Sequence, residues 1–179
     1  FLNGDIQVTN KTEEVLFRIA GLEYDKTGKG TATISPTEAR VNTPGTWTLT
    51  YTAPEEGIPA GGGIRVSWHF TRSLGEPQFT DPKALNYVSV STTGESRLDY
   101  LTPHVGLLEY PFLRGRILVR VLDKPLRAGE RIIVTLGDTT GGSPGLMAPW
   151  IAEDDLIIRV EDCTEVVEGE FPVYRRLKE

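Results

Sequence analysis

Between Gly63 and Thr71 apolar and polar residues alternate without a break. Ile64, Val66, Trp68 and Phe70 fall on one side of an extended chain, and Arg65, Ser67, His69 and Thr71 on the other. A helix would scatter these two sets around its circumference, whereas a strand sorts them onto two faces. The pattern therefore predicts a strand with one buried and one wet face. Thr46 to Thr52 repeats it, with Trp47, Leu49 and Tyr51 alternating with threonines, residue types that favour a pleated, half-buried surface.

The same period recurs along the chain. Thr31 to Ser35 is a short candidate that stops at Pro36. Tyr87 to Thr92 places Val88 and Val90 inward, Arg116 to Leu122 places Ile117, Val119 and Val121 on one face, and Arg131 to Leu136 does so with Ile132, Val134 and Leu136. Leu156, Ile158 and Val160 share a face between Leu156 and Val160. Val15 to Ile19 and Val173 to Leu177 are weaker candidates. The connectors Pro54 to Gly63, Asp123 to Glu130 and Gly137 to Pro149 are rich in Gly and Pro, which end strands and do not sustain helices. Many short strands with such turns predict an all-β antiparallel β-sandwich, immunoglobulin-like or jelly-roll-like, of roughly eight to ten strands. Unequal connector lengths favour the sandwich over a barrel. Residues 1–170 read as one domain and 171–179 as a C-terminal strand or linker.

Composition excludes several classes. With 39% apolar and 25% charged residues the chain has neither the low hydrophobicity of a disordered segment nor an apolar run near the roughly 20 residues that span a bilayer. A net charge of −6 argues against a nucleic-acid partner, which requires a basic face. The chain opens on Phe1 rather than Met, as expected of a processed protein or an excised fragment.

Catalytic patterns are missing. His69 and His104 have no HxH or HExxH spacing, and Cys163 is the single cysteine, with no partner for a disulfide or a zinc site. No metal or cofactor is implied. Gly141 to Gly145 approaches a nucleophile elbow, but Pro144 directly after Ser143 removes the backbone N–H that would line an oxyanion hole. The same glycines would let amides converge on an anion, or simply make a wide turn. Glu153, Asp154 and Asp155, with Asp162 beyond the strand, lack EF-hand spacing and read as solvated loops. Trp47 and Trp68 fall on apolar faces and read as core. Trp150 follows Pro149 in a loop and is the best candidate for an interaction anchor. Tyr110, Ser143 and Gly145 complete the candidate contact surface.

An ordered set of segments then emerges. It comprises Gly30-Thr-Ala-Thr-Ile-Ser-Pro36, Thr46-Trp-Thr-Leu-Thr-Tyr-Thr-Ala53, Gly61-Gly-Gly-Ile-Arg-Val-Ser67, Pro77-Gln-Phe-Thr-Asp-Pro82, Asn86-Tyr-Val-Ser-Val90 and Gly137-Asp138 leading to Gly142-Ser-Pro-Gly145. Together these resemble the N-terminal region of a bacterial family, mostly of unknown function, that includes carbaryl-hydrolase-like enzymes. The resemblance covers roughly residues 30 to 165 and implies an N-terminal β-sandwich ahead of a metal-dependent hydrolase domain of the polymerase-and-histidinol-phosphatase type. That family's metal ligands lie in the downstream domain, and none maps onto this chain. The expectation is a non-catalytic accessory module for domain packing, oligomer contacts or partner binding. The alternative is a stand-alone ligand- or carbohydrate-binding sandwich.

Overall fold

The computed structural model describes residues 16–24, 30–68, 74–102, 115–150, 152 and 156–163. Among them are twelve strands: β1 (Leu16–Tyr24), β2 (Thr31–Ser35), β3 (Glu38–Arg40), β4 (Pro44–Gly45), β5 (Trp47–Thr52), β6 (Gly63–Trp68), β7 (Val88–Thr92), β8 (Leu98–Leu101), β9 (Gly115–Val121), β10 (Arg131–Leu136), β11 (Leu146–Met147) and β12 (Leu156–Cys163). Ten have three or more residues, within the expected range. None of the described residues lies in a helix long and apolar enough to cross a membrane.

The alternation sorts these strands into two layers. One sheet has the order β3-β1-β12-β6-β9-β8 and the other β2-β5-β10-β7, with a two-stranded ribbon of β4 and β11 beside them. Trp47, Leu49 and Tyr51 of β5 and Ile132, Val134 and Leu136 of β10 face Ile64, Val66 and Trp68 of β6 and Ile117, Val119 and Val121 of β9 in one buried core. Each fully buried side chain of this size contributes roughly 1.5–3 kcal/mol by leaving water. The domain is thus an all-β sandwich. Trp47 and Trp68 belong to its core.

Most pairings are antiparallel, but β1 and β12 run parallel, from Ile19 opposite Leu156 to Tyr24 opposite Val160. A register shift lies between Ile19 and Gly21. The apolar alternation of the sequence changes phase at the same place, from Phe17 and Ile19 to Leu22 and Tyr24, which is what one inserted residue does to a period of two. The parallel pair makes β12 a central strand, with β1 on one side and β6 on the other. Leu118 and Ser67 lie on the face of the six-stranded sheet opposite the shared core, yet each is only 1% exposed. The middle of this sheet is therefore covered on both sides.

Candidate functional site

The four-stranded sheet ends in a cap built from the 137–145 connector, the 74–87 loop and the β4–β11 ribbon. Asn86 organises it. Its backbone has φ of 65°, a conformation asparagine tolerates. Its amide donates to the Gly145 carbonyl at 2.8 Å, and its Oδ1 accepts the Met147 amide at 2.9 Å. Met147 in turn accepts the Gly75 amide at 2.8 Å. Gly145 has φ of 117°, and a Cβ there would stand 2.8 Å from the Gly45 carbonyl oxygen, so the ribbon closes only over a glycine.

This geometry corrects the expectation that Ser143 and Gly145 form part of a contact surface. Both are buried. The Ser143 hydroxyl accepts the Gly145 amide at 3.1 Å, a local side-chain turn that draws the oxygen inward. The anion-nest reading meets the same obstacle. The Asp138 amide donates to Tyr87, the Gly142 amide to Thr139, and the Thr140 amide to Asp138 Oδ1. The Asp138 carboxylate also accepts the Thr140 hydroxyl at 2.7 Å. Hydrogen bonds from the Ser89 side chain and then from Thr140 hold this carboxyl below its ordinary range. These groups are committed to building the turn.

Trp150 is the exposed member of the candidate residues that the structure describes. The chain is braced up to Pro149, whose carbonyl accepts the Asn42 amide at 2.8 Å, while the Ala148 amide donates to Thr43 at 3.0 Å. Leu146 and Ala148 enter the core at 0% and 1% exposure, and two residues beyond Ala148 the Trp150 side chain is 66% exposed. A large ring is thus presented to solvent beside a backbone held by hydrogen bonds up to Pro149.

A second polar cluster was not visible as such in the sequence. Asp162 lies within β12, not in a loop beyond it, and pairs with Ile64. It accepts hydrogen bonds from the Tyr51 hydroxyl and from the Gly30 amide at 3.2 Å. Tyr51 belongs to the opposite sheet, so this bond ties the two layers. Burial first, then the Asp162 hydrogen bond and charge, push the Tyr51 phenol far above its ordinary range. Parity carried the signal: Leu156, Ile158, Val160 and Asp162 continue one period of two.

Tyr110, His69, His104, Glu153, Asp154 and Asp155 lie outside the described residues, as does the 171–179 tail. Among the described residues no three His, Cys, Asp or Glu side chains cluster as metal ligands. Compared with known protein families, curated proteins and solved structures, the chain matches none.

Proposed function

We propose that this domain is a non-catalytic accessory module that makes its contact through the loop end of the sandwich, with Trp150 as the anchor. One observation carries the reading: the polar groups of the cap are used internally, while the Trp150 ring is two-thirds exposed, at 66%, on a braced backbone. The ordered segments from Gly30 to Gly145 support a downstream metal-dependent hydrolase domain as the partner.

Trp47 and Trp68 are buried at 1% and 3% exposure, so Trp150 is the ring whose emission reports solvent. In the 179-residue chain, the emission lost on Trp150→Ala is that of a solvated indole. In the full-length gene product the same difference spectrum is blue-shifted, because the partner domain covers the ring. An unshifted spectrum there refutes the contact. Metal-dependent turnover by the 179-residue chain, surviving purification and abolished by a point substitution, refutes the non-catalytic reading.

The exposed ring also favours a second reading, a neutral glycan stacked on Trp150. Titrating a panel of soluble glycans against this emission separates the two. A flat response, unchanged by Trp150→Ala, counts against glycan binding.

A further inference from the structure

The outer face of the six-stranded sheet buries a hydroxyl that the fold does not use. Ser67 alternates with Val66 and Trp68, which enter the shared core, so its side chain stands on the opposite face. It is 1% exposed, and among the described residues its Oγ has no hydrogen-bond partner. Buried hydroxyls are nearly always paired, and an orphan is a destabilising feature that calls for a physical reason.

Arginines surround it. Arg159 of β12 holds the register position opposite Ser67 on one side and Arg116 of β9 the position on the other. Arg65 is two residues back along β6, on the same face. Paired residues of an antiparallel ladder stand about 5 Å apart and same-face neighbours along a strand about 7 Å. Two glutamates share the block by register, Glu161 opposite Arg65 and Glu23 opposite Arg159, and Glu161 forms an ion pair with Arg65. Three arginines against two glutamates leave a positive excess in a chain whose net charge is −6.

We propose that this block binds a small oxyanion, the chemistry shared by phosphate and carboxylate groups, at a site separate from the Trp150 end. The occupant follows from donor chemistry. An oxyanion brings acceptors alone, and guanidinium groups and a serine hydroxyl both donate. A guanidinium holds two oxygens of one anion through parallel N–H bonds, and the Ser67 hydroxyl supplies a further donor to it. A cation would meet the arginine excess. Arg159 is exposed and the Arg65 side chain is 32% exposed, so the anion meets them from solvent. The hydroxyl is reached when the side chains over it shift, which weakens binding to a Kd on the order of 1 mM.

Thermal unfolding of the 179-residue chain in sodium chloride, sodium phosphate and sodium acetate, at about pH 7 and one fixed ionic strength, tests this. The expected result is a midpoint that rises by roughly 3–6 °C between zero and about 20 mM of the bound anion, relative to chloride. A rise in phosphate supports the site and assigns it to phosphoryl groups, and a rise in acetate supports it and assigns it to carboxylates. Ser67→Ala melts no lower than wild type in chloride, because it loses an unpaired group, yet it loses at least half of the anion-dependent rise. Arg159→Gln loses the rise as well, whereas Arg131→Gln, which removes the same charge from the other sheet, keeps it. Equal midpoints in all three salts overturn the proposal. So does a rise that Ser67→Ala and Arg159→Gln both retain, which is general stabilisation by salt. A Ser67→Ala chain that melts lower than wild type in chloride shows that the hydroxyl is already paired in solution, and overturns it equally.

Discussion

Among the described residues, the hydrogen bond from Tyr51 to Asp162 ties the two layers together. The bond is part-buried, and the approach is so close that a Cβ at Gly30 would lie 1.9 Å from the Tyr51 hydroxyl oxygen. Among the described residues Tyr51→Phe leaves Asp162 the Gly30 amide, and the substitution should cost about 1–3 kcal/mol in urea unfolding. The effect depends on pH with a defined sign. The phenol's affinity for its proton is raised in the folded state, so its contribution is complete below the unfolded value near 10 and is lost as pH rises beyond it. The stability gap between wild type and Tyr51→Phe should therefore narrow above about pH 10. A gap that widened there would contradict the assignment. Phe79 and Tyr100, with ring centroids 5.0 Å apart, make a second such tie, between the 74–87 loop and an edge strand.

At the scale of elements, the end of the sandwich away from Trp150 carries two exposed ion pairs. Asp123 accepts the Arg97 amide at 2.8 Å and its guanidinium at 2.9 Å, and Lys124 pairs with Glu95 at 2.8 Å. The Arg97 amide and then its guanidinium hold the Asp123 carboxyl down to about 2. A lowered carboxyl contributes stability above its unfolded value near 3.9, and this is lost as pH falls towards the folded one. Asp123→Asn should thus be less stable than wild type at neutral pH, with the difference vanishing by about pH 2 in acid titrations followed by circular dichroism. The sequence made the regular strands legible, because Trp47, Leu49 and Tyr51 or Ile132, Val134 and Leu136 repeat at period two. It hid β3 and β8, whose three and four residues are too few to show a period and include Glu38, Arg40 and Asp99. Parallel pairing of β1 was also hidden, since alternation states which face a residue takes and not which strand lies beside it. Ser143 was misread for a related reason: a Gly- and Pro-rich stretch looks like surface, and only the fold shows its hydroxyl turned into its own turn.

For the whole molecule, β12 is the element on which the six-stranded sheet depends. It alone joins the β3–β1 pair to β6, β9 and β8, and Leu156, Ile158 and Val160 are buried at 1–2% exposure. A chain ending at Trp150 should lose cooperative unfolding and amide dispersion in NMR spectra, although it keeps every strand of the smaller sheet. Retained native dispersion would show that β12 is dispensable. Function was less legible than fold because the cap's polar residues serve closure of the sandwich, and Trp150 becomes distinctive only once Trp47 and Trp68 are seen to be buried.

The parallel alliance of β1 with β12 also sets an order of events during synthesis. Strands of the four-stranded sheet are all available once Leu136 has been made, but Ile19 must wait for Leu156, a delay on the order of ten seconds at ribosomal rates. Over that interval the short β3 is the one described strand with which β1 can pair. The sandwich is therefore assembled from the smaller sheet first and sealed last by a strand that arrives late, and so long-range a closing step makes for a slow-folding domain.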